Sequence, residues 1–157
     1  MGKAEFIIEP GRPDIVTRRT FDATPDVVYR AFTESDMIKR WWGRDTDETI
    51  IDVNELKHGG RWRFISKGSD GSKHAFRGVY HDLTPAKRIA QTFEWEGAPG
   101  HVSLETASFT EVDGKTEFIG VSVFQSVEDR DAMAATGMEE GANEGYDRID
   151  EILAERP

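Results

Sequence analysis

"RTFDATPDVVYRAFTESDMIKRWWG", Arg19 to Gly43, passes from the end of a strand into two short helices and closes on adjacent tryptophans. Thr24-Pro25-Asp26 supplies an N-cap with a proline at the first helical position, so the spacing predicts a helix over Pro25 to Phe32. A second short helix follows from Ser35 towards Trp42. Neighbours diverge by about 100° in a helix and point to opposite faces in a strand, so one element rarely buries both Trp41 and Trp42 on the same side. At least one of these rings belongs to something other than ordinary core.

Working outward, a short strand is expected at Glu5 to Glu9, then a Pro-Gly-Arg-Pro break, then a strand over Asp14 to Phe21. Beyond Thr49 the hydrophobic period becomes two, with turn chemistry at Gly59-Gly60, Asp70-Gly71, Thr84-Pro85 and Asp113-Gly114. An antiparallel meander follows: Thr49 to Leu56, Arg61 to Lys67, Lys73 to Leu83, Arg88 to Glu96, His101 to Val112 and Lys115 to Gln125. Alternation places Trp62 with Phe64, Phe76 with Tyr80, and Phe93 with Trp95 on one aromatic side of the sheet. Arg61 and Arg63 flank Trp62 and face the other way. A helical stretch begins near Glu128, is interrupted near Gly137 and runs to Ala154. Met138, Gly141, Ala142, Gly145, Tyr146, Ile149, Ile152 and Leu153 share one side of its helical wheel, with the acidic residues opposite. Gly141 and Gly145 each cost about 1 kcal/mol relative to alanine in a helix, so close backbone approach or ligand space outweighs propensity there.

These elements form an α+β layer, a curved antiparallel sheet gripping the C-terminal helix. A curved sheet cannot close on a straight helix along its whole length, so a cavity between them is the geometric consequence. The chain of 157 residues reads as one domain over 1–157, enough to bury roughly two-thirds of its unfolded surface. It contains no cysteine, which removes disulfides and thiolate chemistry. The first residues lack a signal-peptide pattern and no window approaches the ~20 apolar residues of a membrane span, so no membrane insertion and a cytoplasmic location are expected. Thirty acidic against twenty basic residues give a net charge of -10, which disfavours nucleic acid as a partner.

Four stretches in order, Arg19 to Gly43, "GGRWRF" (Gly59 to Phe64), "FRGVYHDLTPAKRIAQTFEW" (Phe76 to Trp95) and "EDRDAMAATGMEEGANEGYDRI" (Glu128 to Ile149), resemble the START-like, or SRPBCC, superfamily. Within it they resemble the branch of the C-terminal domain of the activator of the heat-shock protein 90 ATPase. The resemblance spans Asp14 to Leu153 and implies a helix-grip fold with a deep, largely apolar cavity. In that family the double tryptophan ends the short helix beside the cavity, so one ring packs into the core while the other shapes the wall or entrance; alternatively both seal the joint between helix and sheet. One departure stands out: a bulky residue, often tryptophan, is usual at the position of Ala142. Its loss enlarges the pocket or opens its mouth.

The candidate function is binding of a small hydrophobic or aromatic molecule without an obligatory cofactor. The expected lining is Trp41, Trp42, Trp62, Phe64, Phe76, Phe93, Trp95, Met138, Ala142 and Tyr146, with His74 and Asn143 as polar contacts. The bland reading of each ring is core. Of the four histidines, His58, His74, His81 and His101, no pair has local metal-ligand spacing, and only His74 shares a strand face with Phe76. "DTDE", Asp45 to Glu48, lacks the glycine and terminal glutamate of a calcium loop and reads as a solvated acidic turn. "KGSDGSK", Lys67 to Lys73, lacks phosphate-loop spacing and reads as a hairpin. No nucleophile motif is present. A second candidate is a cyclase-, aromatase- or hydrolase-like enzyme in which His74, or a carboxylate raised in pKa by burial, moves protons. A third, implied by the branch alone, is chaperone ATPase stimulation, disfavoured because the chain has no room for the separate N-terminal domain of the eukaryotic activators. Lys115 to Gln125 is apolar on both faces, so either the segment Phe6 to Ile8 covers it or a second subunit does, which makes a homodimer a candidate assembly.

Overall fold

A computed structural model describes residues 3–155. The strands β1 (Glu5–Ile7) and β2 (Asp14–Phe21) lead into helices α1 (Pro25–Thr33) and α2 (Ser35–Trp41). Then come β3 (Glu48–Asn54), β4 (Arg61–Lys67), β5 (Lys73–Thr84), β6 (Arg88–Trp95), β7 (Val102–Val112) and β8 (Lys115–Val123), and finally α3 (Val127–Ala134) and α4 (Met138–Ala154). All strands pair antiparallel in one sheet of order β1-β2-β8-β7-β6-β5-β4-β3, so the meander closes through β8 onto β2. The α+β helix-grip architecture read from the sequence is the architecture observed.

Local chemistry explains the joints. At the β7–β8 hairpin both Asp113 (φ 53°) and Gly114 (φ 79°) adopt left-handed conformations, the primed turn whose twist matches that of its strands. Gly137 (φ 80°) caps α4 and separates it from α3, the interruption expected from the sequence. Register shifts between Ile51 and Val53 in the β3–β4 pair and between Tyr80 and Asp82 in the β5–β6 pair mark bulges, a feature that bends and twists a strand locally.

The inner face of the sheet and α1, α2 and α4 share one core. Phe21, Val28, Ile38, Trp62, Tyr80, Phe118 and Ile149 are all buried within it. Phe32 stacks on Phe118 (5.1 Å, 19°), and Phe21 and Tyr146 meet that ring edge-on at 5.9 and 5.7 Å, closing the interior between α1, β8 and α4. Arg19 projects to the same side, is almost wholly buried, lies 4.7 Å over the Phe21 ring, and donates to Asp150 at 2.7 Å and Asp147 at 3.4 Å, tying β2 to α4.

One expectation about packing is corrected. The segment Phe6 to Ile8 does not lie across β8: β1 pairs edge-on with β2, Phe6 opposite Thr17, in the plane of the sheet. The outer face of β8, with Ile119, Val121 and the exposed Val123, is therefore not covered by it. Phe124 lies beyond the strand and joins a shallow groove beside α3.

Candidate functional site

Between α4 and the sheet lies a cavity of about 530 Å³. Its walls are aromatic. Trp62 and Phe64 from β4 (4.8 Å between rings), Phe76 from β5 and Phe93 from β6 (5.5 Å) form one side. Phe32 and Phe118 form the other, and α4 roofs the space with Met138, Gly141, Ala142, Gly145 and Tyr146. Strand alternation accounts for the first wall, since Phe64 pairs directly with Phe76 in the register and both lie on the concave face.

Gly78 makes that wall possible. It pairs with Trp62, and a Cβ there would fall 2.5 Å from the Trp62 indole nitrogen and 1.9 Å from the Thr92 carbonyl oxygen. The bare backbone leaves room for the indole N–H to donate to Thr92 O at 3.1 Å. The two helix glycines divide the roles expected of them. At Gly145 a Cβ would stand 3.3 Å from the Trp41 carbonyl oxygen and 3.4 Å from its ring, so this glycine lets helix α4 approach α2. At Gly141 a Cβ would meet nothing within 4 Å, and the position opens to the cavity mouth.

The double tryptophan works because the helix ends between its members. Trp41 is the last residue of α2, packs on Phe32 at 5.2 Å and donates its indole N–H to Ala31 O at 2.7 Å. Trp42 is already extended (φ -77°, ψ 141°), which swings its ring against Phe64 (5.4 Å) and Phe76 (5.2 Å). Both rings line the cavity, from different sides. Arg148 of α4 clamps the segment by donating to Trp41 O at 2.7 Å and Gly43 O at 2.5 Å and by pairing with Asp45. "DTDE" begins in an exposed turn, as read from the sequence, in which Asp45 pairs with Arg148 and Asp47 accepts the Ser66 hydroxyl at 2.9 Å at the cavity edge.

Of the residues singled out from the sequence, the cavity gathers Trp41, Trp42, Trp62, Phe64, His74, Phe76, Phe93, Met138, Ala142 and Tyr146. His74 is exposed and sits at the mouth, with its ring 5.9 Å from Trp95. Trp95 lies outside the cavity: it is 40 % exposed, at the end of β6 where the concave face runs out, and faces a shallower groove of about 310 Å³ beside α3. Asn143 also lies outside, on the flank of α4, where its side-chain oxygen accepts the Ala4 N–H at 3.0 Å. The other histidines have local roles or none: His58 accepts from Leu83 N (3.2 Å), His101 pairs with Asp129 (3.0 Å), and His81 is exposed. Among the described residues no group of three or more His, Asp or Glu is placed to hold a metal.

The sequence reading missed Glu105. It projects from β7 into the cavity, where its two carboxylate oxygens accept from the Ser103 and Ser122 hydroxyls, each at 2.6 Å. Its side chain is partly buried and lines the cavity. Burial pushes this carboxyl above its ordinary value, outweighing the two serine hydroxyls that pull it down. Burial, with the Glu105 charge second, likewise pushes up the Tyr146 phenol. A usable signal existed: Phe109 fixes odd positions of β7 as inward, which puts Glu105 on the same face.

These features define a cavity-bearing helix-grip protein. The family model for activator of Hsp90 ATPase homolog 1-like protein matches residues 22–154, and the chain belongs to that family, within the START-like superfamily. A crystal structure of a protein from Rhodobacter sphaeroides is similar at 26% identity and a TM-score of 0.90, covering 98% of this chain and 99% of that one. A solution structure of a protein from Arthrobacter aurescens is similar at 24% identity and TM-score 0.87 (97% and 92% covered), and the crystal structure of protein Ms6760 from Mycobacterium smegmatis at 20% and 0.86 (98% of each). These last two likenesses are of fold. No curated protein matches the chain in sequence.

Proposed function

We propose that this protein binds a small hydrophobic or aromatic molecule in the cavity between α4 and the sheet. The observation that carries the reading is the cavity itself: about 530 Å³, within the range of sites that enclose small organic ligands, and walled by rings that are not packed to closure. Ala142, whose side chain is a single methyl, and Gly141, where a Cβ would meet nothing within 4 Å, add little bulk to the α4 side of the cavity. Apolar burial supplies the affinity, at about 25 cal/mol per Å² of surface removed from water, and the few polar groups supply orientation.

Native mass spectrometry of freshly purified protein, followed by denaturing extraction, tests this. The expected result is a reproducible added mass below about 1 kDa, the size such a cavity encloses. A bare mass that persists after incubation with a panel of aromatic compounds would count against the reading.

A further inference from the structure

Besides Thr17 and the polar residues Arg44, Asp47, Ser66 and His74, the largely aromatic cavity carries one polar strip across β6, β7 and β8. Across the concave face the register sets Gln91 of β6 beside Glu105 of β7 and Glu105 beside Ser122 of β8. Ser103 lies one step along β7, and Tyr146 faces the strip from α4. All but Ser103 line the cavity directly. Glu105 is the acidic centre of this row. A carboxylate has room for about four hydrogen bonds, and Glu105 receives two from the chain. No cation of the described residues reaches it: the hydroxyls of Ser103 and Ser122 are its partners. The Gln91 amide and the Tyr146 hydroxyl make no hydrogen bond among the described residues.

Burying a carboxyl without a cation in an aromatic cavity works against the fold, so a strip of this kind is where binding specificity is expected. Its unused capacity is mostly for accepting. We propose that the cavity takes an aromatic molecule bearing a hydrogen-bond-donating group, a hydroxyl or a protonated amine, which docks on Glu105 with Gln91 and Tyr146 alongside, and that it rejects the corresponding anions. This rests on the cavity-binding reading above and adds the polarity of the ligand. A donor completes the carboxylate's shell and offsets its desolvation. A ligand carboxylate in the same place would set two anions against each other where water cannot screen them.

The test is calorimetric titration at about pH 8 with four probes sharing one ring system: naphthylmethylamine, naphthol, naphthoate and methoxynaphthalene. The amine and naphthol are expected to bind about 10- to 100-fold more tightly than naphthoate, the worth of a hydrogen bond to a charged group. In Glu105→Gln, which keeps shape and can still pair with both serines, the gap should shrink to a few-fold at most. The protein's overall negative charge barely changes in this variant, so long-range attraction of cations cannot account for that shrinkage. Naphthoate binding as well as the amine to the wild type would overturn the inference, and that comparison needs no variant. A preference that survives Glu105→Gln would overturn it too. If methoxynaphthalene binds and the donor preference is absent, the polar strip fails while the cavity reading stands. If none of the four binds, the cavity reading fails and this inference with it.

Discussion

Single positions in α4 separate stability from space. Gly141 and Gly145 are one helical turn apart and carry the same intrinsic penalty, yet their surroundings differ. Gly141→Ala should stabilise the protein by about 0.5–1 kcal/mol, because the new methyl meets only open space. Gly145→Ala should gain nothing or lose, because its methyl crowds the Trp41 carbonyl and ring. Urea unfolding of the two variants side by side decides this. Gly78→Ala is the stronger perturbation, expected to cost about 1–3 kcal/mol or more as Trp62 and Thr92 are pushed apart. Glu105 makes a prediction of opposite sign to most carboxylates. Its folded-state pKa is raised by burial, so the stability it confers is fully present below the ordinary glutamate value and is lost as pH rises through the folded value. Glu105→Gln should therefore gain on the wild type as pH is raised from about 4 to 8, followed as the difference in urea midpoint. Glu105 also marks where sequence reading stopped. The aromatic residues of the cavity announce themselves by type, whereas a glutamate in a strand reads as solvent-facing until the parity set by Phe109 is applied to it.

At the level of elements, α4 is held to the rest by two arginine clamps. Arg148 grips the end of α2 through the carbonyls of Trp41 and Gly43, and Arg19 grips α4 from β2. The second clamp is unequal. Asp150 takes both terminal guanidinium nitrogens of Arg19, at 3.1 and 2.7 Å, while Asp147 is 70% exposed and reaches one of them at 3.4 Å. Asp150→Ala should thus destabilise by about 3 kcal/mol, the lower end for breaking a buried pair, and Asp147→Ala by well under about 1 kcal/mol. The pH dependence has the ordinary sign here. Burial alone pushes the Asp150 carboxyl up, but the hydrogen bonds and charge of Arg19 work against it and the group ends below its usual value. Its contribution is therefore present above the ordinary aspartate range and lost as acid takes the pH down through the lowered value. Glu105, on β7 facing the cavity, and Asp150, on α4 facing Arg19, push stability in opposite directions with pH. The sequence showed the amphipathic face of α4 but not these clamps, because both join residues more than 100 positions apart.

For the whole molecule, the sheet has two unlike faces. The concave face holds the cavity. The convex face is polar near Arg63, which pairs with Glu96 (2.7 Å) and Asp52 (3.1 Å), and apolar at one end of the β7–β8 pair, where Leu104 and Val123 lie opposite each other and are 44% and 41% exposed. Sedimentation at high protein concentration reads what happens there. A species heavier than 17.7 kDa that reverts to monomer on Val121→Lys would place a second copy on that face, and a persistent 17.7 kDa species would remove the homodimer. No helix of the described residues is long and apolar enough to cross a membrane.

Local rules determined most of this fold. Alternation in the strands, the Thr24-Pro25 helix start, the Asp113-Gly114 turn and the glycine break at 137 act over a few residues, so each element is legible where it stands, and the family resemblance set their order in space. Tertiary structure alone decided which ends of those elements meet. It carried Trp95 past the rim of the concave face, turned Asn143 towards the N-terminal strand, split the tryptophan pair by ending α2 between them, and placed Glu105 between Ser103 and Ser122 under Tyr146. Sheet curvature and the register across β6, β7 and β8 set these outcomes, and both arise from contacts between residues far apart in the chain, which periodicity does not record.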